Sequence, residues 1–159
     1  MRFAGVAVKA GTIHMAVVER DADQDGFGVG IDSAFSRLTP PSGPRTASGL
    51  RELKERVQQE IRDWDIRSVT LVDTTKYVQW KYADAYARVL SLSAVMYAAA
   101  EANLPYVEVK PASIGKHLRT PRLETLDPAT IAFATAPKYW TTGGLEAYAA
   151  AAFGARLAV

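Results

Sequence analysis

Three groups of residues in this 159-residue chain have types and spacings that suit chemistry. Asp21, Asp23, Asp25 and Asp32, with Gly26, place acids at positions 1, 3, 5 and 12 and glycine at position 6 of an EF-hand-type loop. Hard carboxylate oxygens at that spacing suit Ca²⁺. Position 12, however, is Asp rather than the longer Glu, position 8 is Gly28, and both flanks are strand-like, so an acidic hairpin turn is expected. The second group is basic: Lys110, Lys116, Arg119 and Arg122, with His117 among them and only Glu108 opposing. Such a patch suits phosphate, and Lys9 and Lys76 complete the candidate nucleic-acid-binding set. The third group is aromatic: Tyr77, Trp80 and Tyr82, then Tyr139 and Trp140. Exposed, these rings could stack on unpaired bases; buried, they are a core cluster beside ordinary surface lysines.

Other chemistries are excluded. The chain has no cysteine, so it has no thiol nucleophile, disulfide or Cys-based zinc site. His14 and His117 are isolated and too few for zinc, which normally needs four ligands. Gly115-Lys116 lacks the upstream glycine of a phosphate-binding P-loop, since Lys110 stands there. No run of about 18 uncharged apolar residues predicts a membrane span. The N-terminus has no signal-peptide pattern, and the expectation is a soluble cytoplasmic protein. Lys+Arg number 19 and Asp+Glu 17, a balance that by itself implies no polyanionic partner. The excess is uneven: 10 against 10 up to Val72, and 9 against 7 after it.

The elements that must position these groups follow from periodicity. One domain over residues 1–159 is expected from length and from a 48% hydrophobic composition. Phe3 to Val8 and Thr12 to Glu19 read as strands joined by a tight turn at Lys9-Ala10-Gly11, and Phe27 to Asp32 as a third strand. Thr39 to Pro44 is a proline-rich loop. A helix begins near Ser48 and carries Leu50, Leu53, Val57 and Ile61 on one face. Ser68 to Val72 is a buried central strand, Gln79 to Asn103 a long Ala-rich helix, and Pro105 to Val109 a strand. Pro111 to Leu118 starts a helix with proline, Asp127-Pro128 opens a short one, and Leu145 to Leu157 is the last, after Gly143-Gly144. The order β-β-β-α-β-α-β-α predicts a mixed five-stranded sheet with helices on both faces, and matches the ribonuclease H-like fold.

Several segments resemble the RuvC Holliday-junction resolvase branch of that fold. Gly5-Val6 resembles the Gly-Ile before that family's first catalytic Asp, and Val69-Thr70-Leu71-Val72-Asp73 the strand that ends in its second acid. Asn103 to Pro111 resembles the helix, proline, strand and basic segment that follow, and Leu145 to Ala151 the last helix, where an acid precedes an Ala-rich run. The resemblance implies a carboxylate cluster holding two divalent metals, such as Mg²⁺, that clamp the attacking water and the leaving oxygen of a phosphodiester. Carried over, the first acid falls on Ala7, the second on Asp73, the last on Glu146, and a further one near Gly143. Two of the four are therefore missing, Asp73 is shorter than the usual Glu, and Lys9 brings positive charge where a metal would sit.

Three functions remain open. In the first, a resolvase-like protein has lost hydrolysis and binds nucleic acid, possibly branched DNA, or acts as a scaffold. In the second, a divergent Mg²⁺-dependent nuclease uses Asp73 and Glu146 as catalytic and metal-binding acids, with Asp32 or Asp84 completing the set. The third is a protein-interaction module. Asp73 capping a strand end, and Glu146 favouring a helix N-terminus, are the structural alternatives for those acids. The resemblance further implies a homodimer, for which the Ala-rich helix offers a packing face.

Overall fold

The computed structural model describes residues 1–40, 46–73 and 81–158. The loop at 41–45, together with Lys76, Tyr77 and Trp80, lies outside the described residues. Strand β1 (Arg2–Lys9) and strand β2 (Thr12–Glu19) pair antiparallel over their full length, from Arg2 opposite Glu19 to Lys9 opposite Thr12. Ala10 and Gly11 both have positive φ between them, as a two-residue hairpin turn requires. The expected third strand, Phe27 to Asp32, shortens to two residues, and a further short strand that was not foreseen follows it. Strand β3 (Val29–Gly30) pairs with the end of β2, one 3₁₀ turn covers Asp32–Ala34, and strand β4 (Ser36–Leu38) pairs with the start of β2. Gly28, at φ +89°, ends the acidic loop in a conformation that an extended Phe27–Asp32 strand does not allow. The sheet thus has six strands in five ranks.

Helix α1 (Ala47–Asp63) starts one residue before the predicted position because Thr46 caps it, its Oγ1 accepting from the Gly49 N–H at 3.1 Å. Strand β5 (Ile66–Val72), helix α2 (Tyr82–Glu101), strand β6 (Tyr106–Val109) and helix α3 (Pro111–His117) follow. The segment after α3 forms three single 3₁₀ turns instead of a further α-helix, and helix α4 (Gly144–Leu157) closes the chain. Strands β1, β5 and β6 run parallel, giving the order β3/β4-β2-β1-β5-β6. This mixed sheet, with α1 and α2 on one face and α3 and α4 on the other, is the expected architecture.

The two faces are packed differently. Ala4, Val6, Val8, Ile13, Met15 and Val17 meet α1 and α2. The opposite face of β1 carries α4, most of whose residues are buried, so a run of alanines is what its burial demands. A Cβ on Gly5 would lie 1.9 Å from the Ala147 carbonyl oxygen, and one on Gly154 would lie 2.3 Å from Thr70 Oγ1. Helix α4 therefore rests directly on the backbone of β1. Alanines Ala94, Ala98 and Ala99 of α2 are likewise consumed inside the chain, while Ala100 and Ala102 are exposed. Among the described residues, no helix is long and apolar enough to cross a membrane.

Candidate functional site

The carboxyl ends of β1 and β5, the first two turns of α2, the first turn of α4, helix α3 and the segment after it enclose a cleft of about 630 Å³. Ala7 lies on its floor, 3% exposed and contributing only carbon. Lys9, two residues further along the same face, sends its ammonium to the Glu146 carboxylate in the first turn of α4. Glu146 thus has both a helix N-terminus and a cation to neutralise it. Asp73 follows β5, where its N–H donates to the Val109 carbonyl at 2.8 Å, and it lines the same cleft.

Asp84 and Arg88 enter from α2, and Arg88 donates to the Val8 carbonyl. Arg122 and Glu124 enter from the segment after α3. Asp84 therefore reaches the cleft and Asp32 does not. Asp32 sits instead near Tyr148, whose hydroxyl donates to the Ile31 carbonyl at 3.0 Å. Burial first, and the Asp32 charge second, push that phenol above its ordinary range. Arg88 and Glu124 were not foreseen: neither belongs to a motif, and only the folding of α2 and the post-α3 segment toward β1 brings them in.

These residues do not fit a two-metal centre. The positions of the first acid and of the additional one are Ala7 and Gly143, which offer no side-chain oxygen. Glu146 is bound to Lys9, whose ammonium holds the charge that a divalent ion would supply. Among the described residues, no three His, Asp or Glu side chains are grouped to hold a metal. The same holds for the acids from Asp21 to Asp32. Arg20 instead clamps their loop, donating to the Gln24 carbonyl at 3.1 Å and to Ala155 at 3.0 Å.

The basic set separates into surface and core. Lys110, Lys116, Arg119 and Arg122 are exposed, on or just beyond α3. His117 is not part of that surface. Its ring packs edge-on against Phe153, with centroids 4.8 Å apart, and burial first, then Arg156, lowers its pKa. Trp140 is buried against Tyr148, which removes it from base stacking, whereas Tyr82 is exposed.

His14 faces Ala7 across the hairpin and is buried beneath Gly143, where a Cβ would lie 2.6 Å from its Nδ1. Gly143, at φ +125°, is the residue that lets α4 begin there. Burial lowers the His14 pKa most, then Arg37 and Lys9, against a smaller opposing effect of Glu146.

No family model matches the chain. No curated protein matches it either. Solved structures do. The Thermus thermophilus RuvC structure superposes with a TM-score of 0.79 at 18% identity, covering 99% of this chain and 97% of that one. The fold is RuvC-like. T. thermophilus RuvC in complex with Holliday junction substrate gives a TM-score of 0.77 at 19% identity, over 99% and 96% of the two chains. The yeast mitochondrial Holliday junction resolvase Ydc2 gives 0.58 at 10% identity, over 96% and 75%. At these identities the likeness is one of fold, and the RuvC-like frame is what brings Ala7, Asp73 and Glu146 to one cleft.

Proposed function

We propose that this chain is a RuvC-like DNA-binding protein, acting as one domain, that holds branched DNA and does not hydrolyse it. The observation that carries this reading is the Lys9–Glu146 ion pair beside Ala7. A positive side chain occupies one remaining acid, and the central position has no ligand atom, so two metals have nothing to bridge them. Phosphate contacts then come from Lys110, Lys116, Arg119 and Arg122, which the fold leaves exposed on or beside α3. RuvC bound to a Holliday junction supports branched DNA as the ligand class. The same reading makes the particle a homodimer.

The test is fluorescence anisotropy on a labelled four-way junction with EDTA, alongside cleavage assays in Mg²⁺ and Mn²⁺. Binding that persists in EDTA and falls steeply with salt, with no cleavage in either metal, is the expected result. Asp84 in the cleft favours one second reading, a divergent Mg²⁺ nuclease using Asp73 and Glu146. Cleavage abolished by Asp73→Asn would establish that alternative.

A further inference from the structure

The registers of the sheet align one row of residues across all five ranks. Arg37 on β4 lies opposite His14, and His14 lies opposite Ala7. Val6 pairs with Leu71, which places Ala7 beside Val72, and Val72 pairs with Val109, the neighbour of Lys110. Four strand spacings of about 4.8 Å separate the ends of this row by roughly 19 Å. The cleft lies in the middle, with Lys9 above it. One end leads into the basic segment from Lys110 to Arg122. The other end carries Arg37, a cation with no place in any sequence motif.

Arg37 is not isolated. Its guanidinium lies 4.4 Å from the Tyr139 ring centroid, and the Lys138 ammonium lies 4.9 Å from the same ring. Phe35 stacks on Tyr139 with centroids 6.0 Å apart and supports it from the core side. Tyr139 is held at φ +65°, and its carbonyl accepts from the Gly144 N–H at 2.9 Å, which fixes this corner to the start of α4. Both cations are exposed, and among the described residues neither forms an ion pair. Lys138 first, then Arg37, holds the Tyr139 phenol below its ordinary range, as two cations beside one hydroxyl should. Two exposed cations on one anchored ring form a preorganised site for a phosphate oxygen, because the ring limits the side-chain freedom that binding would otherwise remove.

We propose that Arg37, Lys138 and Tyr139 form a second phosphate-contact bank, so that DNA lies across the cleft with its backbone held on both sides. This rests on the DNA-binding reading and deepens it. It assigns the ligand of this bank as a phosphodiester backbone separate from the one contacted around Lys110. The ion-paired cleft between the banks then serves as a floor over which DNA passes, rather than as the main source of attraction.

Salt dependence of junction binding tests the arrangement. The affinity of the wild-type chain is compared with that of Arg37→Gln/Lys138→Gln and of Lys110→Gln/Lys116→Gln, with a thermal melt confirming that each variant folds. Each lost phosphate contact reduces the slope of log K against log salt by about 0.9 on duplex arms, so each double variant is expected to lose about 1.8. Arg37→Lys keeps the charge and is expected to retain most of the slope. A wild-type slope in Arg37→Gln/Lys138→Gln, with a reduced slope in the other pair, overturns the second bank and leaves DNA binding intact. No junction binding by the wild-type chain at about 50 mM salt overturns the DNA reading, and the second bank with it.

Discussion

At the scale of the residue, His14 connects the empty first-acid position to stability. It is buried, and burial, Arg37 and Lys9 together hold it below the ordinary histidine range. The unfolded chain therefore takes up a proton at His14 near pH 6.5 that the folded chain refuses. Stability attributable to this group is complete above that pH and declines as pH falls toward the lower folded value. His117 acts in the same direction. Glu101, lowered chiefly by its hydrogen bond from Lys54, contributes stability that is lost only as pH falls below 4.5. Melting temperature is expected to drop as pH falls below about 6.5, and less steeply in His14→Phe. A profile unchanged by that substitution would remove His14 as the source. The family resemblance, carried over position by position, implied the missing acids at Ala7 and near Gly143 and the intrusion of Lys9. It did not imply that Lys9 would seat on Glu146, which depends on α4 crossing β1. His117 misled for a similar reason: its neighbours in sequence are cations, but its neighbours in space are Phe153 and Phe27.

At the scale of the element, the site depends on how closely α4 lies on the sheet. Gly5 is the point of contact, with Ala147 and Ala151 above it. A methyl group there meets backbone, which cannot rotate away, so Gly5→Ala must lift the helix. The expected loss is about 3 kcal/mol, at the upper end of the range for overpacking. It should be visible as a lower urea midpoint with an unchanged slope. Because Glu146 moves with α4, the same variant is expected to weaken the Lys9 pair. An unaltered midpoint would show that α4 is not seated on Gly5. Composition and punctuation located β1, β5, α2, α3 and α4, through β-rich or apolar runs for the strands, Ala-rich stretches for α2 and α4, and a leading proline for α3. Alternation overextended the third strand, of which only Val29–Gly30 pairs, and missed the three-residue strand Ser36–Leu38. Segments that short have no period of their own; their pairing is set by β2, and so Arg37 was invisible as part of a row.

At the scale of the whole molecule, the outer face of α2 offers a surface on which the proposed homodimer can be tested. Tyr82, Val89 and Met96 are spaced by seven residues and are 79%, 59% and 47% exposed, so they form one apolar seam over four turns. Ser91, Ala94, Val95, Ala98 and Ala99 fill the inner face of the helix, so this seam lies on the side turned away from the sheet. A second copy of the same seam is a self-complementary partner under two-fold symmetry, in which residue i meets j and j meets i. The wild-type chain is therefore expected to elute with twice its 17.2 kDa mass by light scattering. Val89→Glu/Met96→Glu places like charges opposite each other and should give the single-chain mass at an unchanged melting temperature. The consequence for DNA is separable from the cleft itself. A dimer presents two clefts to one junction, and linking two sites raises avidity by 10² or more over one. The charged-seam variant keeps Lys110, Lys116, Arg37 and Lys138, so its affinity for a short duplex should match the wild type while its affinity for the four-way junction falls at least tenfold. Equal loss on both ligands would mean that the seam touches DNA directly, and a wild-type chain that elutes at its single-chain mass would leave α2 without this role.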